Sequence, residues 1–227
     1  MPTLKLINNL PVLNHTLTHW NQLETVTADS VTLPDGTTRD GAQDLATSLQ
    51  SVEAALMTAR NALSVAQGTR NQAREALYPA AKQARKSLRG LAKNVPEVLG
   101  LPTVPPVTSA PAVLLAALED IADVWGRVNA LPAAYVPAAH LPLKIPLTEN
   151  NALVSLTLEQ FNTRLAALRS AAQVLTEAED TVTVGIGTRD GLHDQAAEVV
   201  KSYGTVARSV LPESHPLLKT IPTLTGG

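Results

Sequence analysis

Apolar residues recur in steps of three and four along two long stretches of the chain, which is the spacing of one helical face. In the first stretch these residues are Leu45, Leu49, Val52, Leu56, Ala59, Leu63 and Ala66. In the second they are Phe161, Leu165, Leu168, Ala172 and Leu175, followed by Leu192, Ala196, Val199, Tyr203, Val206 and Val210. Asp40 with Gln43, and Thr157 with Gln160, have the spacing of a helix cap and a side chain that reaches back to it. The pattern predicts that a helix begins at each of these two caps.

The two stretches are also similar to each other in sequence. A shift of about 119 positions places Leu49, Ser51, Leu56, Ala59 and Val65 on Leu168, Ser170, Leu175, Ala178 and Val184. The same shift places Gly68-Thr69-Arg70 on Gly187-Thr188-Arg189, with Lys82 on Lys201 and Arg89 on Arg208. With one inserted residue, Pro96 meets Pro216, and residues 101–103 meet residues 221–223. Because fixed-period similarity marks a structural repeat, we predict that residues 45–93 and 164–211 superpose as two copies of one helical unit.

The place where each repeat turns has two interpretations. Gly68 and Gly187 could each end a helix, which would make every repeat a hairpin, and residues 181–185 (Thr-Val-Thr-Val-Gly) are poor helix sequence. Alternatively, the first repeat is one helix from about 41 to 77 that breaks at Pro79, because its apolar stripe continues in phase as far as Leu77. We favour a bend at Gly68 and Gly187.

The segments outside the repeats have a different character. Nine of the sixteen prolines lie between Pro96 and Pro146, and they bracket one predicted helix at 111–130. Its apolar face consists of Leu114, Leu118, Ile121, Trp125 and Val128. We expect residues 132–146 to be extended and polyproline-like. In the first forty residues, β-branched runs at 25–27 and 31–33 next to the turn signal at 34–36 indicate a small hairpin or an extended arm.

These patterns together predict an all-α protein of two duplicated helical hairpins plus a central helix, with an irregular or small β N-terminal arm. The expected boundaries are an arm at 1–40, the first repeat at 41–104, a Pro-rich linker with its central helix at 105–155, and the second repeat at 156–227.

Composition narrows the function classes. The chain has no cysteine, which excludes disulfides, thiolate metal sites and cysteine nucleophiles. Aromatic residues make up only 3%, so we expect no stacking site for bases, sugars or flat cofactors. No run approaches the roughly 20 apolar residues of a membrane span, and the first twenty residues lack the core of a secretory signal. We therefore expect a soluble chain, cytoplasmic by default, although the lack of cysteine fits any compartment.

Two motifs invite a chemical interpretation that the sequence does not favour. The run from Gly185 to Gly191 is rich in glycine like a phosphate loop, but its G-x-G-x-x-x-G spacing matches neither the dinucleotide motif nor the P-loop. His15 and His19 are four residues apart, as two metal ligands on one helical face would be, yet the Thr-rich surroundings disfavour a helix. We expect no catalytic residue, no cofactor and no metal.

The strongest positive signal is electrostatic. Residues 41–110 contain eight basic and four acidic residues, whereas residues 111–227 contain eight basic and twelve acidic residues. The acidic residues of the second repeat include Glu177, Glu179, Asp180, Asp190, Asp194 and Glu198. The candidate polyanion or self-association face consists of Arg70, Arg74, Lys82, Arg85, Lys86, Arg89 and Lys93.

Opposite charge on two related units favours pairing of these units, within a chain or between chains. We therefore predict a non-catalytic structural or scaffolding protein that associates with itself through helical faces, as a homo-oligomer or filament. A helical protein that binds nucleic acid or another polyanion through residues 70–93 is the alternative, because a basic stripe can neutralise phosphates. A hydrolase or metal enzyme comes third.

Overall fold

The computed structural model describes residues 9–91, 95, 98, 100–131, 140–149 and 151–224. The chain is mostly helical, at 74% with four helices among these residues, and this coarse prediction is confirmed. The elements are α1 (Leu10–Thr27), α2 (Arg39–Leu91), α3 (Pro111–Asn129), β1 (Ile145–Glu149), β2 (Ala152–Leu156), α4 (Leu158–Val210) and a short 3-10 helix (Pro216–Thr220). The central helix predicted at 111–130 corresponds to α3.

The prediction that each repeat is a hairpin is wrong, because α2 and α4 are single helices of 53 residues each. Helix α2 continues through both Gly68 and Pro79, and α4 continues through Gly187. The turns predicted at Gly68 and Gly187 and the alternative break at Pro79 are therefore all absent. The hydroxyls of Thr69 and Thr188 donate to the carbonyl oxygens of Val65 and Val184, four residues earlier, and so stay within the helical hydrogen-bond pattern. A glycine costs a helix only about 1 kcal/mol, which the packing of neighbouring apolar residues offsets.

The two long helices begin at threonine caps. At α4 the predicted box is confirmed, since Gln160 N–H donates to Thr157 Oγ1 at 3.2 Å and Thr157 N–H donates to Gln160 Oε1 at 2.9 Å. At α2 the predicted cap on Asp40 is wrong: Asp40 lies inside the first turn, and Gly41 N–H donates to Thr38 Oγ1 at 3.2 Å.

The chain divides into two compact units. The first unit comprises Met1–Asn61 and Asp180–Gly227, and the second comprises Ala62–Glu179. Each unit therefore contains one part of α2 and one part of α4. Within the first unit, Trp20 of α1 stacks on Tyr203 of α4 with ring centroids 5.0 Å apart, and Leu49 of α2 belongs to the same buried core.

The second unit has its own core around Trp125 of α3, whose ring lies 5.7 Å from that of Phe161 in α4. Strands β1 and β2 form an antiparallel pair in which Ile145 faces Leu156, and both of these side chains are buried in this core. The sequence pattern did not indicate this pair. Residues 132–139 of the expected polyproline segment lie outside the described residues.

The predicted irregular N-terminal arm is a second error, because residues 10–27 form α1. Leu13, Leu17, Trp20 and Leu23 recur on one face and are all buried. The threonines that seemed to disfavour a helix instead donate to carbonyls four residues earlier, as Thr16 does to Val12 at 2.8 Å. Of the predicted hairpin, only an isolated bridge between Thr32 and Thr38 and a turn with Gly36 at φ +87° are present.

Candidate functional site

Of the seven basic residues singled out by the sequence, the six that the structure describes form two groups in the second unit. Arg70, Arg74 and Arg85 are half-buried and bonded to neutral acceptors. Arg74 Nη1 donates to the Val107 carbonyl at 3.0 Å, and Arg85 Nε donates to the Pro102 carbonyl at 2.7 Å. These two arginines therefore hold Pro102 and Val107 against the helix. This assigns them a structural task that the charge pattern did not reveal.

The second group is exposed. Lys82, Lys86 and Arg89 follow one another at spacings of four and three on α2, so they share one side of the helix. None of the three makes an ion pair with a described residue, and Lys82 Nζ lies 4.5 Å from the centre of the Tyr78 ring. We call these three residues the basic face. Lys93, the last of the seven, lies outside the described residues.

An open groove of about 620 Å³ in the first unit has the opposite charge. Its carboxylates come from Asp35, Asp194 and Glu198, and we call it the acidic groove. The Thr37 backbone N–H, 2.9 Å from Asp35 Oδ1, holds the pKa of that carboxyl below its usual value. Lys201 is the one cation among the lining residues, and it pairs with Glu198 at 2.7 Å.

The net charges of the two units have the same signs as these two surfaces. The first unit contains 7 basic and 11 acidic residues, a net charge of −4, and the second contains 11 basic and 9 acidic residues, a net charge of +2. The charge asymmetry read from the sequence thus belongs to compact units as well as to segments.

A small cavity in the second unit lies between two of the half-buried arginines and the start of α3. Arg70, Arg74, Ser109, Leu168 and Ala172 are among its lining residues, and its volume is about 20 Å³. The Nε atoms of both arginines are buried, and neither has a hydrogen-bond partner among the residues that the structure describes.

The two motifs that invited a chemical interpretation are both built into helices. Residues 185–191 lie inside α4, so their backbone amides belong to the helical ladder. His15 is exposed, whereas His19 is buried at 2% exposure, with Nδ1 2.5 Å from the Tyr203 hydroxyl and Nε2 2.9 Å from the Leu217 carbonyl. No cluster of three metal-binding side chains is found in the described part of the chain.

A second buried histidine was not recognised from the sequence. His193 Nε2 lies 3.6 Å from a carboxylate oxygen of Glu53, and the Asn9 side chain donates to the His193 carbonyl at 2.8 Å. These contacts join three chain segments whose proximity no local spacing indicates.

No protein-family model, curated protein or solved structure matches this chain. Among the described residues, no helix is both long enough and apolar enough to cross a bilayer.

Proposed function

We propose that this chain is a non-catalytic structural protein that associates with itself, with the basic face of one molecule docked on the acidic groove of the next. The observation that supports the proposal is the opposite charge of these two surfaces. Three exposed cations stand on one helix side of a positively charged unit, and three carboxylates line a groove of a negatively charged unit. Complementary charge of this kind selects partners and sets their register.

Apolar contacts would contribute most of the association energy, because an exposed ion pair is worth only about 0–1 kcal/mol. The acidic groove also contains Leu45 and Val199. Large apolar side chains are exposed on both long helices, with Val65 at 69% and Val184 at 68% exposure. Docking two different surfaces is a heterologous contact, which generates a ring or an open filament.

Charge reversal tests the proposal. Variant one carries Lys82→Glu, Lys86→Glu and Arg89→Glu, and variant two carries Asp35→Lys, Asp194→Lys and Glu198→Lys. Each variant alone presents two surfaces of the same sign and should remain monomeric in light scattering. An equimolar mixture should assemble again, because each altered surface then meets its opposite. Arg60→Glu, an exposed reversal elsewhere on α2, serves as the control. Assembly that is unchanged in both variants would contradict this docking mode.

Polyanion binding is the second candidate, and the exposure of the basic face favours it. Lys82, Lys86 and Arg89 are exposed on one helix side, as phosphate-neutralising residues would be. Retention on heparin at physiological salt, lost in Lys86→Glu with Arg89→Glu, would support this function. Elution of the wild-type chain at low salt would exclude it.

We also propose that the two halves of the chain are copies of one ancestral unit. Helices α2 and α4 have the same length, and their first residues are 119 positions apart. Nine pairs separated by this distance are buried in both helices: Ala42 and Phe161, Ala46 and Leu165, Leu49 and Leu168, Leu56 and Leu175, Leu77 and Ala196, Ala80 and Val199, Ala81 and Val200, Ala84 and Tyr203, Leu88 and Ala207. A short helix with a buried tryptophan precedes each long helix. Leu56→Ala and Leu175→Ala should therefore both destabilise the chain, each by about 2–5 kcal/mol, and a negligible loss for either variant in chemical denaturation would oppose the equivalence of the two positions.

A further inference from the structure

We infer that the cavity between Arg70 and Arg74 binds a small inorganic anion. The two arginines are four residues apart on α2, so their side chains lie on the same side of the helix, where like charges repel. Arg70 Nη2 donates to the Asn71 side-chain oxygen at 2.8 Å, and Arg74 Nη1 donates to the Val107 carbonyl. Both acceptors are neutral, so the two half-buried positive charges have no carboxylate partner in the described residues.

The equivalent positions of the first unit carry a carboxylate that the second unit lacks. The residues 119 positions after Arg70, Asn71 and Arg74 are Arg189, Asp190 and His193. Arg189 donates from Nε and Nη2 to Asp190 Oδ1, at 3.0 and 2.6 Å. The first unit therefore pairs its half-buried arginine with its own carboxylate, where the second unit has only the amide of Asn71.

A second carboxylate of the first unit is also replaced. Glu53 stands 3.6 Å from His193 Nε2. The residue 119 positions after Glu53 is Ala172, which lines the cavity beside Arg70 and Arg74. The second unit thus has two arginines where the first has an arginine and a histidine, and it lacks the two carboxylates that stand beside those side chains in the first unit. The positions where the second unit lacks carboxylates are therefore the positions next to the cavity.

The geometry of the cavity defines the ligand class. The buried Nε–H groups of Arg70 and Arg74 are donors only, so the occupant must accept hydrogen bonds. A space of about 20 Å³ admits one water-sized atom, which means a monatomic anion or a single oxygen of a larger oxyanion. Leu168 and Ala172 are among the apolar side chains that line the rest of the cavity, and these side chains limit competition from solvent.

The test is thermal unfolding of the full chain at constant ionic strength, as sodium chloride replaces sodium gluconate. At about ten times its dissociation constant, a bound anion should raise the unfolding midpoint of the wild type by roughly 3–6 °C. Sodium bromide and sodium phosphate form parallel arms. A response to the halides alone assigns a monatomic ion, and an equal response to phosphate assigns an oxyanion with one oxygen in the cavity.

Two variants supply the missing carboxylate from the chain itself. Asn71→Asp restores the pair that Arg189 makes with Asp190, and Ala172→Glu restores the equivalent of Glu53. Both should raise the midpoint in gluconate and lose the response to chloride, and Asn71→Asp keeps the test open where the larger glutamate fails to fold. Asn61→Asp makes the same chemical change at an exposed site of α2 and should keep the wild-type response. A chloride response equal in the wild type and Asn71→Asp, or absent from both, would overturn the inference.

Discussion

Tyr203 shows how a single residue joins the parts of the first unit. It is fully buried, its ring stacks on Trp20 of α1, and its hydroxyl contacts His19. Because the Leu217 carbonyl can only accept, His19 Nε2 carries the proton, and Nδ1 accepts from the Tyr203 hydroxyl. Burial raises the pKa of Tyr203 well above its ordinary value of 10.0, and the nearby charge of Glu24 acts in the same direction.

This shift predicts how stability depends on alkaline pH. Since the folded pKa is raised above the unfolded one, the hydroxyl contributes its stabilisation fully below pH 10 and loses it as the pH rises beyond that value. The free energy of unfolding should then fall by up to about 1.4 kcal/mol per pH unit from this group. Tyr203→Phe removes the proton and should show a correspondingly shallower loss in urea titrations above pH 10. Equal slopes for wild type and variant would contradict the assignment.

At the scale of elements, apolar periodicity predicted the existence of the two long helices correctly but not where they end. The steps of three and four from Leu45 to Ala66 do mark one helix, and the box of Thr157 and Gln160 does begin another. Gly68, Pro79 and Gly187 do not break these helices, although glycine and proline have low helix propensity. Pro79 is exposed, so water can satisfy the carbonyl that it leaves without a partner, and the buried Leu77 and Ala80 on either side hold the helix together.

Glycine substitution distinguishes a continuous helix from a bend. An added Cβ at Gly68 or Gly187 would meet no atom within 4 Å. Gly68→Ala and Gly187→Ala should therefore each stabilise the chain by about 0.5–1 kcal/mol, as alanine does inside an exposed helix. At Gly185 the Cβ would lie 3.0 Å from Leu56 Cδ2, so Gly185→Ala should gain less. Urea denaturation measures all three, and destabilisation by Gly68→Ala would instead indicate a left-handed turn there.

At the scale of the whole molecule, the sequence located the basic stretch but could not show which of its residues are half-buried and which are exposed. Spacing along α2 treats Arg85 and Lys86 alike, whereas Arg85 is bonded to Pro102, 17 residues away, and Lys86 is exposed. The acidic groove brings Asp35 next to Asp194 and Glu198, across more than half the chain. Contacts of this kind depend on tertiary packing, which no local pattern encodes. The charge imbalance was visible from the sequence because composition does not depend on packing.

Salt should affect self-association in two opposed ways. Sodium chloride screens the basic face and the acidic groove, since the screening length falls to about 3 Å near 1 M, and it should weaken association. Sodium sulfate screens as well but strengthens apolar burial, so it should restore association in part. Sedimentation velocity in both salts measures this difference, and an assembly that is indifferent to both would show that the charge asymmetry does not contribute.

The mass of the wild-type chain in solution, measured by light scattering over a wide concentration range at low salt, tests the central claim most directly. The proposed docking of basic face on acidic groove predicts a weight-average mass that rises with concentration above the 23.9 kDa of one chain. Because the contact is heterologous, the rise should continue past a dimer. A constant mass of one chain at every concentration would contradict self-association, and a plateau at two chains would contradict the head-to-tail arrangement.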